Sequence, residues 1–249
     1  MNLNYKDILE NELYLDTLKL IPDEIKNHIN ALKKVKRFQF KEYPKNILID
    51  DTKKHTLKCV NIAKTLALDT NYPSLIRTLW IHDIPELITK DLTVIEKYRN
   101  KNAASEFDVK EMIAAEQLLN KDDQELLKTF NAANNFLKGN TPWDEKTVSL
   151  EAVFAKLIDN SEGNMTFHYF ISRWAASERY DKTLLPPRDS LLHSFITNQK
   201  FLSRIEQFTP KEYNKDLIAF IANVLENIKR LWFDVPADRI PDELRVYLK

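Results

Sequence analysis

Only two of the 249 residues are glycine, Gly139 and Gly163, and this scarcity restricts the fold more than any other feature. Glycine normally makes up ~7% of a chain and supplies the left-handed backbone positions that hairpins and tight sheet turns require. A chain with two of them can hardly be built from β-hairpins, so an all-α fold is expected. The prolines fall mainly between stretches of helical periodicity, where breakers belong.

Apolar spacing predicts helices over 5–19, 23–38, from Asp51 or Thr52 to about Ala67, and from Pro73 through the run SLIRTLWIHD. Pro22 and Pro73 suit the first helical position, Asp51 or Thr52 can cap the third helix, and Pro85 breaks or restarts the fourth. Residues 40–50 read as a connection. Further helices are predicted at 105–120, 122–136, 145–176, 189–207, 210–232 and 241–248. No repeat, low-complexity tract or Gly/Ser linker divides the chain. It reads as one helical domain over 1–249.

With 37 basic and 37 acidic residues the net charge is zero, which argues against a protein that holds nucleic acid or an anionic membrane by bulk charge. A local basic pocket for one phosphate is compatible with that balance. One cysteine, Cys59, excludes an internal disulfide framework and suits a reducing compartment. No apolar run approaches the ~20 residues of a membrane span, and the N-terminal residues do not read as a signal peptide. A cytoplasmic protein is expected.

The chemistry-bearing residues gather after apolar runs. His55 shares a helical stripe with Cys59, Ile62, Ala63 and Leu66, so it points inward and needs a partner there. His82 and Asp83 close LIRTLWIHD, and Glu86 and Asp91 follow within IHDIPELITKDL. So much charge in an apolar stretch is costly unless something binds it. Asp159 closes LEAVFAKLID. Taken singly, each has a bland reading: a satisfied core histidine, a helix cap, or in Asp91 the N-cap of LTVIEKY. Together, His55, His82, Asp83 and Asp159 form two imidazoles and two carboxylates, a set suited to one divalent ion such as Mn²⁺, Co²⁺, Ni²⁺, Fe²⁺ or Zn²⁺. Six-fold coordination would leave two positions, one for water and one for a phosphate oxygen.

The ordered pattern His55, His82-Asp83 and Asp159 in KLIDN resembles the HD-domain superfamily of metal-dependent phosphohydrolases. HDIPELITKDL is similar to the branch of 5′-deoxynucleotidases, which shows His-Asp-x-x-Glu and then Thr-x-Asp. The resemblance covers about 50–165. It implies an HD-domain helical bundle with helical additions at 1–45 and 180–249. The implied activity is a metal-dependent phosphohydrolase acting on a small phosphorylated substrate, with a nucleoside (deoxynucleoside) 5′-monophosphate as the expected case. Phosphodiester or pyrophosphate hydrolysis, or a non-catalytic metal- and nucleotide-binding protein, are the alternatives.

The resemblance also implies roles for Glu86, which would orient or deprotonate the attacking water, and Asp91, near the sugar or as proton donor. Mg²⁺ joins the metals it allows, and relatives of this kind make a homodimer an expectation. The branch often carries Arg and Trp before the first ligand; here EYPKNILIDDTKKH offers Lys45 and no Trp. Lys97 is a second candidate for neutralising phosphate. Cys59 reads as a small apolar filler, His168 as off the metal face, and His28 and His193 as surface residues. FHYFISRW at 167–174 reads as a helix packed on the core.

Overall fold

The computed structural model describes residues 13–37, 50–66, 72–90, 101–184, 186, 188–208 and 211–249. They form α1 (Leu13–Leu18), α2 (Lys26–Ala31), α3 (Thr52–Thr65), α4 (Pro73–Ile81), α5 (Glu86–Thr89), α6 (Lys101–Leu118), α7 (Lys121–Lys138), α8 (Leu150–Ala176), α9 (Arg188–Phe208), α10 (Lys211–Arg230) and α11 (Asp242–Arg245), with short 3₁₀ turns between some of them. No strand occurs among the described residues beyond an isolated bridge between Lys36 and Asp51. The fold is all-α, as the glycine count predicts.

Local chemistry sets several of these boundaries. The Asp51 side chain accepts the Lys54 N–H at 3.0 Å and starts α3, and Pro73 opens α4. Asn120 caps α7, which ends at Gly139 in the left-handed region, φ +81°. Ser149 accepts the Ala152 N–H at 3.1 Å and opens α8, which then runs through Gly163 without interruption.

Three predicted spans are shorter in the structure. The segment predicted as one helix over 23–38 is a 3₁₀ turn, the short α2 and a second 3₁₀ turn ending at Lys34. Val35 is extended and its carbonyl accepts the Thr52 N–H at 3.0 Å, while Arg37 N–H bonds Asp50 O at 3.3 Å. Pairing with the entry to α3 outcompetes helix continuation. Residues 145–149 are not helical, because Asp144 draws the Lys146 and Thr147 N–H groups into a local turn. The last helix is only Asp242–Arg245, followed by a turn in which Tyr247 N–H bonds Leu244 O. Residues 1–12 and 38–49 lie outside the described residues, including the start of the helix predicted at 5–19.

The long helix α8 is the spine. It packs against α3, α4, α7 and α10, and α9 closes on α7 and α10. The core between them includes Leu57, Val60, Leu79, Trp80, Phe136, Phe154, Leu157, Ile158, Phe220 and Trp232. Arg77 fastens α4 in place: its guanidinium grips both oxygens of the buried Asp123 on α7, at 2.7 and 2.6 Å, and Glu24 at 2.7 Å. A forked, charge-assisted pair of this kind fixes geometry as well as energy. It thereby fixes the end of α4, where His82 and Asp83 lie.

Candidate metal centre

His55 sits one turn into α3, 1% exposed, with both ring nitrogens engaged. Nδ1 bonds Oε2 of Glu162. Nε2 lies 3.0 Å from Asp159 Oδ1, 3.5 Å from Asp83 Oδ2 and 3.3 Å from His82 Nε2. His82 caps the C-terminus of α4 and donates its Nδ1–H to the Leu79 carbonyl at 2.9 Å. That bond turns its Nε2 toward Asp83 Oδ2, at 3.2 Å, and Asp159 Oδ1, at 3.8 Å. The four sequence-predicted ligand side chains therefore meet, brought from α3, the end of α4 and the middle of α8.

Electrostatics tie the cluster together. Burial disfavours a charged ring at His55, yet the adjoining Glu162 and Asp159 carboxylates outweigh it and raise its pKa well above the usual imidazole range. Burial likewise opposes ionisation of Asp159, but the Lys156 ammonium, 2.6 Å from its Oδ2, and the two histidines hold it well below the usual carboxylate range. Asp83 is lowered against its burial by His82 and His55. Glu162, fully buried, is held well below the carboxylate range by Lys58, His55 and Arg37. Lys156 is raised against its burial by Asp159, Asp83 and Glu111, and its ammonium lies 4.8 Å from the centre of the Phe130 ring.

These donors fit a divalent ion. Bonds of ~2.1 Å place adjacent ligand atoms ~3.0 Å apart at right angles and ~3.4 Å apart at tetrahedral angles, within the spread of the separations above. Asp83 Oδ2 is buried and accepts no hydrogen bond among the described residues, an oxygen that a cation would satisfy. His55, Cys59 and His82 also form a buried trio close enough to hold a metal. The Cys59 sulfur, however, is 3.7 Å from both ring nitrogens of His55, so it lies in line with neither lone pair. Burial pushes its thiol up to about 12.

Glu86 begins α5, half-buried, and accepts the Thr52 Oγ–H at 3.0 Å. Thr52 precedes His55 by one turn, so Glu86 lies at the same end of α3 as the cluster. Asp91, Lys45 and Lys97 lie outside the described residues. Sequence reasoning missed Glu162, Lys156, Lys58 and Arg37. Two of them carried a signal: Lys58 and Glu162 fall on the buried stripes of their helices, with Cys59 and Ile62 on one and Ile158 and Met165 on the other. His168 is apart from this cluster, buried between Ser194 and Trp232. His28 and His193, read as surface residues, are half-buried, and Phe167, Ile171 and Trp174 are buried, as the core reading of 167–174 expects.

Neither a curated protein nor a solved structure gives a significant match to the chain. The family described as 5′-deoxynucleotidase YfbR-like matches residues 25–152, which is 128 of 249. The match starts upstream of the segment that carries the sequence resemblance, takes in His55, His82, Asp83 and Glu86, and stops short of Asp159. It is a hydrolase family of the HD type, in agreement with the all-α bundle. The chain belongs to the YfbR-like 5′-deoxynucleotidase family of HD-domain proteins.

Proposed function

We propose that the protein is a divalent-metal-dependent phosphomonoesterase that releases phosphate from a nucleoside 5′-monophosphate, a deoxynucleotide before others. The observation that carries this reading is the convergence of His55 Nε2 and His82 Nε2, 3.3 Å apart, on Asp83 Oδ2 and Asp159 Oδ1, each histidine nitrogen lying 3.0 to 3.8 Å from the two carboxylate oxygens. The family supports the nucleotide class of substrate. The four side chains would hold one ion, with Mn²⁺, Co²⁺, Ni²⁺, Fe²⁺, Zn²⁺ and Mg²⁺ as candidates.

A divalent ion supplies Lewis-acid activation of water and neutralises charge building on the phosphoryl group. The chain's own groups do the rest. Glu86, held through Oε2 by Thr52, takes a proton from the attacking water as its oxygen bonds to phosphorus. The phosphorus–oxygen bond to the nucleoside breaks, and Asp91 is the proposed proton donor to the leaving oxygen or contact to the sugar. Lys45 and Lys97 are the proposed phosphate contacts. The proposed setting is the cytoplasm, with a homodimer as the assembly. Among the described residues no helix is long and apolar enough to cross a membrane.

Phosphate release from a panel of nucleoside monophosphates, diesters and pyrophosphates, with Mn²⁺, Co²⁺ or Mg²⁺ added, tests the reading. Metal-dependent release from 5′-monophosphates that disappears in Asp83→Ala is expected. Turnover of diesters or pyrophosphates alone would replace the monoesterase. Metal binding without turnover of any compound would leave a binding protein.

A further inference from the structure

We infer that Glu162 is a positioning residue for the metal centre, a buried carboxylate that holds the Nδ1–H of His55 so that only Nε2 is offered to the ion. The inference rests on the metal-centre reading above and adds a residue that neither the HD pattern nor the family match contains, since the match ends at 152.

Each oxygen of Glu162 is occupied. Oε1 takes the Lys58 ammonium at 3.1 Å and the Thr166 hydroxyl. Oε2 takes the Arg37 guanidinium at 3.3 Å and His55 Nδ1. A carboxylate offers about four acceptor sites, and four donors from three directions leave it no rotation. The ring it holds inherits that rigidity, because an imidazole pinned at Nδ1 has its Nε2 lone pair aimed in one direction.

Charge accounts for how such an acid tolerates being 0% exposed. Lys58 also bonds Asp50 at 3.1 Å. Among the described residues, Arg37 and Lys58 set two positive charges against Glu162 and Asp50. Gly163 makes room for this arrangement: a Cβ there would stand 3.2 Å from the Arg37 guanidinium.

A plain structural ion pair would stabilise the bundle without touching the metal. Glu162→Gln separates the two. The amide matches the shape of the acid but must set its NH₂ against a cation on either face, Lys58 on one or Arg37 and His55 on the other. Titration of the metal-free protein with Mn²⁺ or Zn²⁺ should show ~10–100-fold weaker binding in Glu162→Gln, the usual effect of losing such a partner. Wild-type affinity in a folded Glu162→Gln protein overturns the inference and leaves the metal centre intact. Absence of metal binding by the wild type overturns both. Nitrogen-15 NMR of the Zn²⁺-loaded wild type supplies a measurement that survives misfolding of the variant. A protonated, slowly exchanging Nδ1 on His55 with the metal at Nε2 is expected, and metal at Nδ1 overturns the inference.

Discussion

Trp232 donates its indole N–H to Nδ1 of His168 at 3.2 Å, tying the turn after α10 to the buried face of α8. With Nδ1 accepting, the neutral ring carries its proton on Nε2, which reaches Ser194 Oγ at 3.0 Å. Burial drives the His168 pKa down from 6.5 to about 3, with His193 adding in the same direction. Between those values the unfolded chain binds a proton that the folded one refuses, so stability rises with pH across that window. Stability is complete above about pH 6.5 and falls as pH drops toward 3, by at most ~1.4 kcal/mol per unit from this residue. Urea unfolding of the metal-free protein at pH 5 to 7 should show a shallower pH slope in His168→Gln. Parallel slopes in the two proteins would remove His168 as the cause.

Metal should stabilise the fold by mass action. At a free concentration a hundred times its dissociation constant, an ion bound only by the folded state adds ~2.7 kcal/mol. Mn²⁺ should raise the melting temperature of the wild type, a chelator should reverse the rise, and Asp83→Ala should show much less of either. An equal shift in Asp83→Ala would take Asp83 out of the ligand set.

Glu86 and Thr52 should act as a pair. Glu86→Gln is expected to lower kcat ~10²–10⁴-fold with little change in metal affinity, the effect of losing the proposed proton acceptor. Thr52→Val removes only the hydroxyl that orients Glu86 Oε2; a hydrogen bond to a charged group of ~1.5–3 kcal/mol makes a loss of ~10-fold or more the expected result. Combining the two should cost no more than Glu86→Gln alone. Additive losses would show that Thr52 acts elsewhere.

Lys90 closes α5 with φ +63° and ψ 166°, a region that residues other than glycine occupy only at a cost of ~1–3 kcal/mol. Its side chain is exposed. Lys90→Gly should therefore stabilise the protein by ~1 kcal/mol, read as a rise in the urea midpoint. No change, or a fall, would mean that the lysine side chain offsets the strain.

The cluster of four side chains was legible in the sequence because each member stands where an apolar run ends or turns inward: His55 on the Cys59–Ile62 stripe, His82-Asp83 after LIRTLWI, Asp159 after LEAVFAKLI. The helices were legible for the same reason, apart from the start of α8, the shortened last helix and the broken segment over 23–38, where pairing of Val35 and Arg37 with residues 50–52 overrides local propensity. The groups behind the ligands were not read. DNSEGN looks like a polar, solvent-facing stretch, and Glu162 becomes tolerable there only because Lys58 and Arg37, more than 100 residues away in the chain, come to meet it. Lys156 resembles any helical lysine until its ammonium is found on Asp159. Partners that compensate a buried charge are fixed by packing: spacing along one helix puts Lys58 and Glu162 on buried stripes but does not say what they meet.

The atoms of the proposed ligand set come from α3, the end of α4 and α8, with His55 and Asp159 104 residues apart in the chain. Before the bundle closes, the longest run of the set that any segment can offer is the adjacent pair His82-Asp83. Metal capture by this set would thus be a late event in folding, open only to chains in which α3, α4 and α8 have already docked. Once made, the same bonds would act as a clasp across the three helices. Losing the ion would then lower the cost of opening the bundle, and a chelator would make the still-folded chain a better protease substrate.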